Sequence, residues 1–393
     1  MTHLRGRIGA VAGAIVLLLI AGIWIALTHA AAQPTAAGKS RAYRSSAQAT
    51  QAAAGPLRVV SVTPASLATG VDGASPIVIQ FSAPLAADSP FPSVKPGVPG
   101  SWQGDGTSAL KFVPTTAFGQ RTQVTVKIPG GPLGIRSTRG GLLVQTIKVR
   151  FKTGAYQSGR LDQLLAQLGY LPLTWTAAPG ATVPAATDPT GQLSAAYSPP
   201  SGQFSWQPGY PAELHNFWQD GSPSSEIVKG AVMAFEADHG LAMDGVAGLQ
   251  VWATLLKAVA AGQDNTHGYT YAIARESNPE TLTIWHDGRI VQHSLANTGI
   301  SVAPTTIGTA PVYLRYRFQI MKGTNPDGSK YADPVQFVAY FRGGEAVHYF
   351  PRGSYGYPQS LGCVELNLPD AQHAWPYLTY GSLVTVAPGA LTP

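Results

Sequence analysis

Thiol chemistry is almost absent from this chain: Cys363 is the only cysteine in 393 residues, so no internal disulfide can form. Charge is sparse as well. Only 12% of residues are Asp, Glu, Lys or Arg, and the +6 balance is not gathered into Lys/Arg clusters interleaved with aromatics, which argues against a nucleic-acid partner. A mild positive charge is compatible with an anionic cell envelope, and equally with an ordinary protein surface. No Gly-rich phosphate loop follows a strand-like run, so nucleotide use is not indicated. His239, His267, His286, His293 and His373 lack metal-ligand spacing with any carboxylate pair or cysteine. Neither a metal nor another cofactor is therefore expected.

What is present begins with Ile8–Leu27, a run of 20 residues without a charge, directly after Arg5 and Arg7. At a rise of ~1.5 Å per residue it spans a hydrocarbon core of ~30 Å. The apolar core of a cleaved signal peptide is about 7–15 residues, so the length favours an uncleaved anchor. The small residues of Thr28–Ala32 leave secretion after cleavage as the alternative. Lys39, Arg41 and Arg44 beyond the span dilute the positive-inside signal. The short tail 1–7 is nevertheless placed in the cytoplasm, with 8–27 in the membrane and the body of the chain outside, at the cell wall. In such an oxidising place a purposeless free thiol is a liability.

The exported mass exceeds the ~250–300 residues at which single domains stop growing, so several domains are expected. Residues 28–55, rich in Ala, Gln, Ser and Thr, read as a flexible tether. Over 56–154 short alternating runs (Leu57–Val62, Pro76–Phe81, Thr122–Val126, Thr146–Phe151) stand between Gly/Pro/Asp/Ser turns, the pattern of an antiparallel β-sandwich. Nothing there carries chemistry, and a spacer is the default reading.

From Gly159 the period becomes helical. Leu161, Leu164, Leu165 and Leu168 fall at i, i+3, i+4, i+7, and the spacing recurs at Val228–Phe235 and Trp252–Val259. Residues 157–262 therefore predict a small three-helix bundle, interrupted by an irregular, aromatic-bearing insertion over 174–224. Residues 266–388 return to strands. One hairpin turns at Asp287-Gly288, and a second, Val335–Phe341 with Glu345–Phe350, turns at Gly343-Gly344 and ends near His348. A short helix is expected over 369–378 and a last strand over Ser382–Val386.

Histidine then cysteine, fifteen positions apart and joined by the turn-rich loop Pro351–Gln359, supplies a base and a nucleophile. A cysteine taken alone is ordinarily a small buried hydrophobe, and a lone histidine a packing or surface residue. Their pairing, with Gly362 allowing close backbone approach, points to cysteine acyl transfer: His348 deprotonates Cys363, and the thiolate attacks a carbonyl. Amides around Leu361, Gly362 and Cys363 then hold the oxyanion. A third group must orient the imidazole; the Tyr349 carbonyl region and the Ser360 hydroxyl are both candidates, and Ser360 is equally suited to plain turn chemistry.

The helical unit resembles peptidoglycan-binding domains through Ala231–Phe235, Gly240-Leu241, Asp244-Gly245, Gly248 and Trp252. The C-terminal stretch resembles the YkuD-type L,D-transpeptidase catalytic domain. The residues that carry this are Leu282 with Asp287-Gly288, Ala303–Thr309, His348, and Ser360-x-Gly362-Cys363-Val364. The sandwich is similar, more loosely, to the immunoglobulin-like domains that precede such domains in actinobacterial enzymes. Leu361 stands where the family box has histidine, Glu365 where it has Arg or Asn, and Tyr349 where Gly or Ser commonly follows the histidine. The resemblance implies a mainly β, multidomain transferase that releases the terminal D-alanine of a tetrapeptide stem and joins the stem to an acceptor stem in a 3→3 crosslink. It also implies acylation by carbapenem β-lactams. Tyr331, Tyr340 and Glu365 are candidate substrate contacts. The alternatives are an L,D-carboxypeptidase or D-amino-acid exchange enzyme using the same cysteine, or a catalytically silent wall-binding protein.

Overall fold

The computed structural model of the protein describes residues 55–222 and 224–389. The expected tail, the membrane anchor and nearly all of the tether lie outside these residues. Among the described residues no helix is long and apolar enough to cross a membrane.

The first domain contains β1 (Val59–Thr63), β2 (Ile77–Phe81), β3 (Ser93–Lys95), β4 (Gly100–Gln103), β5 (Ala109–Pro114), β6 (Gln123–Ile128) and β7 (Ile147–Lys152). They form two antiparallel sheets, β1-β2-β5-β4 and β3-β6-β7. Side chains alternate between the faces of a strand, so Ile77, Ile79 and Phe81 meet Val124, Val126 and Ile128 in one core. The short strands β3 and β4, Ser-Val-Lys and Gly-Ser-Trp-Gln, carry too little alternation to be read from sequence.

Next come α1 (Ser158–Gln167), β8 (Leu173–Ala177), α2 (Pro189–Tyr197), β9 (Gly202–Trp206), α3 (Ala212–His215), α4 (Glu226–Asp238) and α5 (Leu249–Ala261). Two expectations are corrected here. The insertion over 174–224 is built rather than irregular: β8 and β9 pair antiparallel, α2 lies in the connection between them, and α3 follows β9. Nor are the helices a self-contained three-helix bundle. The core shared by α1, α4 and α5 also takes Leu173 at the start of β8, Ala196 and Leu214 from the insertion, and Tyr269, Tyr271, Ile273 and Leu383 from the domain that follows. Small residues permit this contact: a Cβ on Gly230 of α4 would lie 2.5 Å from the Gly381 carbonyl oxygen.

The C-terminal domain holds β10 (Thr270–Glu276), β11 (Thr281–His286), β12 (Arg289–Leu295), β13 (Gly308–Pro311), β14 (Leu314–Thr324), β15 (Lys330–Arg342), β16 (Glu345–Tyr349), β17 (Val364–Leu366), α6 (Leu368–Ala374) and β18 (Leu383–Pro388). One sheet runs β12-β11-β10-β18-β13 and the other β14-β15-β16-β17. Pairing is antiparallel except for β10 with β18 and β16 with β17. Ala272, Ala274, Leu282 and Ile284 of the first sheet pack on Phe337, Ala339, Val347 and Val364 of the second, with Ala371 and Ala374 of α6 closing the side. The helix stops earlier than expected, at Ala374: Trp375 still has helical backbone, φ −53° and ψ −45°, but Pro376 has no N–H with which to carry the ladder on.

Candidate active site

The position of the site follows from β16 and β17 lying side by side and parallel. Val347 is opposite Val364 and both enter the core, so their neighbours His348 and Glu365, also opposite one another, face the other way. Cys363 sits just before β17 on that same outward face, packed with Ala346, Tyr340, Val338 and Val335. His348 and Cys363 are therefore diagonal neighbours on the outward face of the parallel pair. Both line one cavity of about 520 Å³.

The imidazole is oriented by the backbone. His348 is 3% exposed, and its Nδ1 lies 2.9 Å from the Tyr349 carbonyl oxygen. A carbonyl can only accept, so Nδ1 carries the proton and Nε2 is left with a lone pair. The Tyr349 side chain packs toward the core, so that residue acts at the site through its carbonyl alone. Burial pulls the imidazole below its usual range, an effect opposed by the Tyr349 carbonyl and the Glu365 carboxylate. Burial also pushes the Cys363 thiol up to about 12, the Ala346 amide offsetting part of the rise. The thiol is 9% exposed and lies 3.8 Å from the Gly344 carbonyl oxygen. At neutral pH the resting pair is thus a neutral thiol beside a neutral imidazole.

Ser360 makes the turn. Its hydroxyl donates to the Cys363 carbonyl at 2.6 Å and accepts from the Gly362 amide at 3.1 Å, and it makes no hydrogen bond to His348. The Gly362 amide is consequently occupied and is not a free oxyanion donor, contrary to expectation; the Leu361 amide has no acceptor among the described residues. Gly362 has φ +110°, a conformation that a side chain resists, and this turns the chain sharply ahead of the sulfur. Leu361, 38% exposed, contributes its side chain to the cavity wall.

Three residues that the sequence did not single out, Arg352, Asn297 and Glu345, hold the segments around this loop. Arg352 grips Glu365 through Nε and Nη2, both at 2.8 Å, and Nη2 also donates to the Gln359 carbonyl at 3.0 Å. Glu365, expected as a substrate contact, lines the cavity with its carboxylate already committed to Arg352. Asn297 exchanges backbone hydrogen bonds with Glu365 and accepts from the Gly356 amide through Oδ1 at 2.9 Å. Thr306 donates to the Glu345 carboxylate from its amide and its hydroxyl, tying the 303–309 stretch to the start of β16. No periodicity or spacing signals these partners, because each pair is distant in sequence and meets only through the fold.

Tyr331 and Tyr340 both line the cavity, together with Asp333 and Val335. In an unbroken strand the odd and even positions face opposite ways. Here the register of β15 shifts between Gln336 and Ala339, and Phe337 takes φ +57°, so β15 carries a bulge. Val335 and Tyr340 consequently share the cavity face while Phe337 enters the core.

Comparison with known proteins bears on this arrangement. Residues 270–386 match the L,D-transpeptidase catalytic domain. Residues 53–153 match the bacterial Ig-like domain, so the chain carries a transpeptidase domain behind an Ig-like one. No curated protein matches the chain in sequence. Among solved structures, similarity is found to LD transpeptidase LdtMt1 in complex with imipenem, at 16% identity over 84% of this chain and 98% of that one, TM-score 0.28. It is also found to L,D-transpeptidase 3 from Mycobacterium tuberculosis with a faropenem-derived adduct, at 14% identity over 84% and 97%, TM-score 0.28. The catalytic domain of the E. faecium L,D-transpeptidase matches at 22% identity over 31% of this chain and 99% of its own, TM-score 0.28. The transpeptidase domain is of an acyltransferase type, and its cavity holds both His348 and Cys363.

Proposed function

We propose that this protein is a cysteine-dependent L,D-transpeptidase that forms 3→3 crosslinks between peptidoglycan stems. The observation that carries the reading is the outward face of β16–β17, where an imidazole with its Nε2 lone pair free lies diagonal to the only thiol, both open to one cavity. In the first step Nε2 takes the thiol proton as Sγ attacks the scissile carbonyl of a donor tetrapeptide. The Leu361 and Cys363 amides face the developing oxyanion. The protonated imidazole then donates to the leaving D-alanine nitrogen, and a thioester remains. The amine of an acceptor stem attacks it, His348 takes a proton from that amine, and the thiol is restored. Proton transfer in step with attack suits a pair that is neutral at rest. The anchor at 8–27 and the peptidoglycan-binding-like unit at 157–262 are, in this reading, the means of holding the domain at the wall.

A carbapenem tests the acyl-enzyme directly, since opening of the strained lactam leaves an ester-like adduct on the sulfur. Intact-mass measurement with imipenem is expected to add one drug mass to the wild-type chain and none to Cys363→Ala. Folded wild-type protein that stays unmodified would leave the silent wall-binding reading standing. Analysis of products from purified stems then separates crosslinks from simple trimming to tripeptide.

A further inference from the structure

Arg352 is held on one side only. Its Nε and Nη2 are committed to Glu365 and the Gln359 carbonyl, and its guanidinium lies over the Phe350 ring, 4.6 Å from the centroid. Its Nη1 has no partner among the described residues and is not among the buried unsatisfied atoms, while the side chain is 28% exposed in the cavity wall beside His348 and Cys363. Asp333 lines the same cavity without forming an ion pair with Arg352. Lys322 is the other cation of the wall, but it is exposed on β14 and nothing fixes its flexible ammonium.

The difference between the two cations decides which one can read a ligand. A guanidinium whose plane is fixed by the fold has already lost its rotamer freedom, so binding an anion costs little further ordering. Its unused N–H groups form charge-assisted hydrogen bonds of defined direction, which a carboxylate matches and a neutral amide does not. We infer that Arg352 is a specificity-determining residue whose Nη1 anchors the C-terminal carboxylate of the acyl-donor peptide. Peptides ending in a free carboxylate next to the scissile bond are then taken in preference to their amides. This rests on the transpeptidase reading for the identity of the donor, and Glu365 acts here as a positioning residue that aims Arg352.

The test is equilibrium binding to full-length Cys363→Ala protein, which forms no thioester. The probes are a stem tetrapeptide ending in D-alanine and the same peptide as its C-terminal amide. The acid is expected to bind about tenfold tighter or more. In the added double substitution Arg352→Gln with Glu365→Gln, which removes both charges of the pair together and leaves neither stranded, that ratio falls to near one while circular dichroism stays unchanged. Lys322→Gln keeps the full ratio, so the proposal remains open to refutation even if the double variant does not fold. Equal binding of acid and amide, binding of neither, a ratio that survives the double substitution, or a ratio lost with Lys322→Gln each overturns the inference. The imipenem adduct reports separately on acyl transfer: a chain that prefers the acid yet forms no adduct loses the enzymatic reading, and Arg352 then reads the carboxylate of a bound stem that is not an acyl donor.

Discussion

The chain builds two β-sandwiches, and they differ in what the second face of a sheet is used for. In the Ig-like domain, every paired strand is antiparallel, the inner faces of both sheets are apolar, and Arg136 pairs with Asp88 at the surface. In the transpeptidase domain the inner faces again make an apolar core, but the outer face of β16–β17 carries buried His348, Cys363 and Glu365. Parallel pairing explains how they come to be there. Antiparallel neighbours close with a tight turn, whereas a parallel neighbour needs a crossover of about a dozen residues or more. The segment 350–363 is that crossover, and it runs over the sheet to return Cys363 beside the strand that holds His348. A sandwich becomes a site where a connection too long to be a hairpin covers its outer face.

Removing His348, the base of the proposed reaction, is expected to separate the two domains most sharply. His348→Gln should lower the rate of imipenem acylation by about 10²–10⁴-fold, the usual range for a general base. Urea unfolding of the Ig-like domain should be unaffected. A rate within twofold of wild type would remove His348 from the reaction. The pH dependence follows from the same burial. The folded imidazole titrates below its usual range and the unfolded one at about 6.5, so the base form is present above the lowered folded value. Acylation should therefore climb with pH up to that value and be level at neutral pH, and His348→Gln should flatten the acid limb. Between the two values the unfolded state binds more protons. The contribution to stability is therefore full above about pH 6.5 and declines as pH falls toward the folded value.

Next in size is the ion pair. Arg352→Met leaves the Glu365 carboxylate buried without its partner, which should destabilise the transpeptidase domain by about 3 kcal/mol, the lower end for a broken buried pair because Arg352 is partly exposed. Adding Glu365→Gln should recover most of that loss in urea melts. If Arg352→Met alone costs nothing, the pair does not hold the 350–362 loop.

Much of this was legible before the structure, and the limits have physical causes. Hairpins whose turn chemistry is local were readable: Asp287 and Gly288 both adopt positive φ, as an Asp-Gly turn requires. So were α1, α4 and α5, whose apolar period of 3.6 is written into each segment by itself. The pairing of β8 with β9 was hidden because the two strands are separated by a Pro- and Ala-rich stretch that contains a helix. The shared core of the helices and the transpeptidase sheet was hidden because an apolar stripe does not say what it will pack against. At the site, His348 and Cys363 announce themselves by residue type and spacing. The partners Arg352, Asn297 and Glu345, and the bulge that brings Tyr331 and Tyr340 to one face, are consequences of register.

The smallest effects belong to the Ig-like domain. Ile79 is fully buried, and trimming it by one methylene in Ile79→Val should cost about 0.5–1.5 kcal/mol. Arg136→Ala breaks the pair with Asp88, whose two side chains are 39% and 69% exposed. Water already screens such a pair, and its partner is not stranded when it is lost, so the cost should be about 0.2–1 kcal/mol and shrink further in 1 M salt. Set beside Arg352→Met, this is the same chemical change, an arginine removed from a carboxylate, with a several-fold smaller penalty because only one of the two carboxylates is buried. Neither substitution should move the acylation rate. A slowed imipenem reaction in Ile79→Val would mean that the Ig-like core is coupled to the transpeptidase site, and the division of labour between the two sandwiches would have to be redrawn.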